Sequence, residues 1–132
     1  MISIKILIID ADVSWVNILK SEITKALTNI GFSSKYINFI VEEDYQKAYE
    51  KITQEDLDLV IINLIIGKPL IKKAYDAKIK TIVFVPNDVG FKEMRDLFVK
   101  YHVCDVFSNI KEDFILDDFI YTILQFFQTE PL

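Results

Sequence analysis

A chain of 132 residues with 52% apolar side chains has room for one domain with a real core, and its 3 Gly and 3 Pro exclude collagen-like and low-complexity chains. Its 15 Lys and Arg against 20 Asp and Glu leave a net charge of −5, which argues against nucleic acid or an anionic membrane as the main partner. A single cysteine, Cys104, rules out an internal disulfide, and no uncharged apolar run reaches the roughly 18 residues that span a bilayer. The opening Met1-Ile2-Ser3-Ile4-Lys5 lacks the basic and apolar stretches of a signal peptide, so residues 1–132 are expected to form one cytoplasmic unit.

Ile4–Ile9 (IKILII) is a β-branched apolar run suited to a strand buried on both faces, and it stops at Asp10-Ala11-Asp12. Val16, Leu19, Ile23, Leu27 and Ile30 then recur at helical steps, predicting a helix that Asp12 or Ser14 caps and Gly31 ends. Tyr36–Val41 reads as a second strand, and Tyr45, Ala48, Tyr49 and Ile52 mark a second helix. Leu57–Leu64 (LDLVIINL) is the strongest strand pattern, bounded by Gly67 and Pro69. A brief helix over Leu70–Ala77 leads to a fourth strand, Thr81–Val85. Phe91, Met94, Leu97, Phe98 and Tyr101 give the next helix, with Asn87 or Asp88 as its cap. Cys104–Phe107 is a short fifth strand, and Asp113–Gln128 closes the chain as a helix.

Strand and helix alternate five times. Parallel strands need crossovers of this length, so the order specifies a three-layer, doubly wound α/β sandwich, (βα)5, around a five-stranded parallel sheet. Ligands in such sheets sit beyond the C-terminal strand ends. The residues to interrogate are therefore Asp10 to Asp12, Asn63 to Gly67, Pro86 to Asp88 and Ser108 to Ile110.

Two carboxylates close together on rigid backbone attract a hard cation such as Mg²⁺, which makes Asp10 and Asp12 weak candidate ligands. The competing reading has Asp12 capping the helix and Asp10 simply solvated. No Gly or hydroxyl cluster follows the first strand, and its negative charge disfavours dinucleotide or flavin phosphates there. His102 is the only imidazole and has no evident acidic or thiol partner, so it reads as a surface residue. Cys104 reads as a small buried hydrophobe, and one Cys with one His offers no zinc spacing.

The five-fold alternation, the acidic cluster in ILIIDAD and the terminal Asx in LDLVIINLIIG together resemble the receiver domains of two-component response regulators, the CheY-like family. The resemblance covers nearly the whole chain and implies a flavodoxin-like fold and a role in phosphorelay signal transduction. In that family an acidic pair after strand one holds Mg²⁺ and an Asp ending strand three accepts a phosphoryl group. A Thr or Ser ends strand four, an aromatic lies on strand five, and a Lys-Pro pair closes the site.

Asp10 matches the first acid, and Ala11 holds the second acid's place with Asp12 one residue on. The phosphoacceptor position falls on Asn63, the hydroxyl on Pro86, the aromatic on Val106, the lysine on Asn109 and its proline on Ile110. An amide is a poor nucleophile and carries no charge, so phosphorylation at Asn63 is not expected. The spacing from Asn63 to Pro86 is short for such a domain, which predicts a trimmed third helix and flanking loops.

The expectation is a degenerate receiver, a pseudo-receiver without catalytic residues or cofactor, that acts by protein–protein contact. Its last helix carries more apolar residues than one inward stripe of Leu116, Phe119, Ile120, Ile123 and Phe127 requires. The surplus Ile115, Leu124 and Phe126, with Phe98 and Tyr101 of helix four, is the candidate interface for a protein partner or a homodimer through the helix 4, strand 5 and helix 5 face. The alternative is a residual Mg²⁺ site, with Asp10, Asp12 and the Asn63 carbonyl serving ligand sensing or an enzyme. A corrinoid carrier is weaker still, because no His-containing loop follows strand one.

Overall fold

The computed structural model describes residues 3–86, 89–108 and 113–128, apart from the side chains of residues 66, 67 and 113–115. Asn87, Asp88, Asn109 and Ile110, and the side chain of Ile115, therefore lie outside the described residues. The elements are β1 (Ile4–Ile9), α1 (Val13–Asn29), β2 (Ile37–Glu42), α2 (Tyr45–Gln54), β3 (Leu59–Asn63), α3 (Leu64–Asp76), β4 (Thr81–Val85), α4 (Phe91–Val99), β5 (Asp105–Ser108) and α5 (Asp113–Phe127). All pairings are parallel, in the order β2-β1-β3-β4-β5. The expected five-stranded α/β sandwich is thus the fold.

Alternation along the central strands sorts the core into two layers. Ile4, Ile6, Ile8, Leu59, Ile61, Ile82 and Phe84 face one side, where Trp15, Val16, Leu19, Ile23 and Leu27 of α1 meet Phe119 and Ile123 of α5. Leu7, Ile9, Val60, Ile62, Val83 and Val85 face the other, against Ala48 and Ile52 of α2, Leu70 and Ile71 of α3, and Leu97 of α4. The first layer is aromatic at its centre. Phe84 is fully buried, with Trp15 edge-on at 5.8 Å, Phe107 at 5.8 Å and Phe119 at 5.5 Å. Each such pair adds about 0.5–1.5 kcal/mol to the area it buries. At the sheet edge the Thr122 hydroxyl donates to Asp105 Oδ2 at 2.7 Å, tying α5 to β5.

Four local expectations need correction. The third helix is not a trimmed segment from Leu70: it begins at Leu64, runs 13 residues and passes through Pro69. Asn63 supports its first turn by accepting from the Ile65 amide, and the N–H that proline lacks would have served a carbonyl within the first two turns. What is shortened is the connection, since β3 passes into α3 with no loop between them.

Helix α4 is entered from Gly90, with no side-chain cap, rather than from Asn87 or Asp88. Cys104 is exposed rather than buried. It precedes β5, and its backbone is held by donating to the Thr81 carbonyl at 2.8 Å while the thiol faces solvent. Finally, Phe126 is not left outside the core stripe of α5: it packs partly buried against the first layer, beneath the Lys80 ammonium at 5.4 Å.

Helix ends follow the chemistry of their residues. Gly31 closes α1 with φ +107°, letting the Phe32 amide reach back to the Leu27 carbonyl. Lys78 and His102 adopt the same left-handed region after α3 and α4, at φ 60° and 51°. There they bear the steric cost that glycine avoids. Among the described residues no helix is long and apolar enough to cross a membrane.

Candidate functional site

The chain leaves β1 for β2 on one side and later returns to β3 on the other, so the sheet's order reverses between β1 and β3. A crevice at the strand ends is built there. Register fixes which residues share it: Ile9 stands opposite Ile62, so the next residues, Asp10 and Asn63, come level at the mouth.

Asp10 is 7% exposed, and its carboxylate is drawn into hydrogen bonds from two directions. Its Oδ1 accepts from the Asp12 amide at 2.9 Å, and its Oδ2 accepts from the Asn63 side-chain amide at 3.3 Å. Its backbone amide donates to the Glu42 carbonyl at 3.2 Å, fixing the strand end against β2. A buried carboxylate is costly unless such donors compensate its lost hydration.

Asn63 works at both ends of its amide. Its nitrogen donates to Asp10, while its oxygen accepts from the Ile65 amide at 3.0 Å as the cap of α3. Asp12 is the cap of α1, with Oδ1 accepting from the Trp15 amide at 3.1 Å. The structure therefore gathers Asp10, Asp12 and Asn63 at one mouth and gives the last two a capping role as well. That role was readable for Asn63, because Asn is among the strongest N-cap residues. The apolar run LIIG masked it by extending the strand pattern.

The remaining positions divide. Ala11 is exposed, Pro86 is half-buried at the end of β4, and Val106 packs against the α3–α4 layer. Beside Asp10 lies an open groove of about 440 Å³ between α1 and the β2–α2 connection, lined in part by Lys20, Lys47, Glu42 and Glu43. Among the described residues no three His, Cys, Asp or Glu side chains gather as a metal cluster.

His102 is exposed and stacks on Tyr75 at 5.5 Å, far along the chain from the acidic mouth and at the opposite end of α3. Of the candidate interface residues, Phe98 is 43% exposed and Leu124 is half-buried. Tyr101 is half-buried and set edge-on against Tyr75 at 6.3 Å.

Neither protein-family models nor curated proteins match the sequence. Solved structures do match over nearly the full length. The chain is similar to the CheY-like receiver domain protein of Methanospirillum hungatei JF-1, with a TM-score of 0.69 at 14% identity over 98% of this chain and 100% of that one. It is similar to the phosphorylated cyanobacterial phytochrome response regulator RcpA, with a TM-score of 0.71 at 14% identity over 99% and 98% of the two chains. A two-component response regulator from Clostridium difficile gives a TM-score of 0.67 at 20% identity, over 93% and 97%. These structural neighbours are response-regulator receivers, and what the likeness establishes for this chain is the fold they share.

Proposed function

We propose that this chain is a receiver-like signalling module of the cytoplasm that is not phosphorylated at the end of β3 and works through protein contacts, without catalysis. One observation carries the reading: the residue at the mouth of β3 is an amide, Asn63, whose nitrogen donates to the buried Asp10. An aspartate there would be a nucleophile facing a second carboxylate, an arrangement that calls for a cation between them. The amide replaces both parties. It removes the nucleophile, and it supplies Asp10 with the donor that a bound ion would otherwise replace.

The residues present do not fit Mg²⁺. That ion takes oxygen ligands in near-octahedral geometry, whereas Asn63 turns its nitrogen toward Asp10, Ala11 carries no ligand, and Asp12 is committed to the Trp15 amide. Pro86 brings no hydroxyl to follow a phosphoryl group. The partner-binding surface we assign to this module is the one formed by α4, β5 and α5, with Phe98 the most exposed of the expected residues whose side chains are described.

An amide NMR titration with Mg²⁺, then with Mg²⁺ and beryllofluoride, tests the reading. No saturable shift is expected at Asp10, Asp12 or Asn63. A saturable response to Mg²⁺ alone restores the metal site, and one to beryllofluoride that spreads to Val106 and α4 overturns the proposal. Asn63→Asp should gain the Mg²⁺ response that the parent lacks, because it removes the internal donor and adds a carboxylate.

A further inference from the structure

We propose that β2, at the edge of the sheet, pairs antiparallel with β2 of a second copy of this chain, making a two-fold dimer with one continuous sheet. The backbone decides which residues can pair. The Asp10 amide donates to the Glu42 carbonyl, and Ile9 stands opposite Glu42 in a parallel ladder. Alternation along the strand then turns the polar groups of Asn38, Ile40 and Glu42 toward β1 and those of Ile37, Phe39 and Val41 outward. The Ile37 amide is taken by the Ser34 carbonyl. Among the described residues, no hydrogen bond reaches the Ile37 carbonyl, the Val41 amide or either backbone group of Phe39. The strand INFIVE includes no Lys or Pro to blunt that edge, and its one charge, Glu42, stands at the end. The other edge, β5, is only four residues long.

The strand is complementary to itself. With Phe39 on the two-fold axis, the two Phe39 residues exchange both backbone hydrogen bonds, and each Val41 amide donates to the partner's Ile37 carbonyl. Opposed residues of such a pair share a face. Val41, 40% exposed, therefore packs beside the partner's Ile37, on the side where Ile37 and Phe39 already meet the α1 layer. The same register sets Lys35, before the strand, opposite Glu43, after it. Both are exposed, and among the described residues neither is held in an ion pair; Lys35 rests above the Tyr36 ring at 5.2 Å. Moving the axis to Asn38 or Ile40 sets Lys35 against Val41 or Tyr45 instead and leaves both charges unmatched. Charge thus favours the one register, and the two-fold axis makes each favourable pair occur twice. The contact is isologous, so it closes at two copies. Because β2 and β5 lie at opposite edges, the α4, β5 and α5 face stays open in the dimer, and the contact goes beyond the role proposed for that face.

Sedimentation velocity on the full chain, from about 10 µM to about 1 mM, should show monomer giving way to dimer and to nothing larger. Amide hydrogen exchange identifies the face. Protection of Phe39 and Val41 should rise with the dimer fraction, while Asn38 and Ile40, already bonded to β1, stay as they are. Val41→Pro deletes an outward amide on an edge strand, where proline is tolerated, and should abolish the dimer with the circular dichroism unchanged. Lys35→Glu and Glu43→Lys each turn attraction into repulsion at two symmetric places and should weaken dimerisation about tenfold. Mixing those two variants, or joining both changes in one chain, should restore it. They alter only exposed side chains, so they carry the test if Val41→Pro fails to fold. A parent chain that stays monomeric throughout overturns the proposal and leaves the edge to an extended segment of another protein. So does a dimer whose protection falls on α4 or α5, one that folded Val41→Pro forms as readily as the parent, or a mixture of charge variants that associates no better than each alone. None of these changes touches Asp10, Asn63 or the α4, β5 and α5 face, so failure here leaves the proposed function standing.

Discussion

Helices α1 and α4 each follow a strand of the same sheet, but they are held by different means. Six residues of α1 are buried, Trp15 and Leu27 among them, and its first turn is capped by the Asp12 carboxylate. Helix α4 has nine residues, buries Leu97 alone and starts from Gly90 without a side-chain cap. The same contrast separates the layers behind them. The α1–α5 layer is centred on interlocking rings, whereas the α4 side relies on aliphatic contacts with partly buried Met94 and Tyr101. Burial and capping both favour α1, so of the two it is α4 whose position a partner can shift at the lower cost.

The largest test of this contrast is Phe84→Ala. Emptying the ring cluster should cost about 3–5 kcal/mol in chemical denaturation and loosen α1 and α5 together. Leu97→Ala should cost about 2–5 kcal/mol, and native-state hydrogen exchange should show α4 opening first while α1 keeps its protection. Loss of protection in both helices in step would mean that they form one cooperative unit and the contrast has no dynamic content. Asp12→Ala removes the cap from α1 and should cost about 1 kcal/mol without changing the exchange of α4. The smallest effect runs the other way. A Cβ added at Gly90 meets nothing within 4 Å and the residue sits at φ −72°, so Gly90→Ser should stabilise α4 by a few tenths of a kcal/mol, seen as slower exchange in its first turn.

The sheet was legible because its strands are compact apolar runs: Ile4–Ile9 and Thr81–Val85 fall where periodicity put them. The mouth of the crevice was legible in part: a (βα)5 order points to the C-terminal strand ends, while the adjacency of β1 and β3 is set by the strand order of the folded sheet. What local pattern could not resolve lay at element joints. Asn63 is the last strand residue and the helix cap at once, so LVIIN continued into LIIG reads as strand until tertiary packing claims the second part as helix. Cys104 looked buried because cysteine usually is, yet it stands one residue before the pairing of β5 begins. The hydrogen bond from Asn63 to Asp10 lies 53 residues apart in sequence and depends on side-chain rotamers that no periodicity encodes.

That joint has a mechanical consequence. A strand that becomes a helix at a single residue leaves no slack in which a disturbance can be absorbed. The helix that leaves Asn63 runs 13 residues and about 20 Å, held against the sheet by Leu70, Ile71 and Ala74. Its far end carries Tyr75, stacked on His102 and set against Tyr101 at the foot of α4. One helix, joined to its strand without a loop, thus connects an acidic mouth at one pole of the molecule to an aromatic surface at the other.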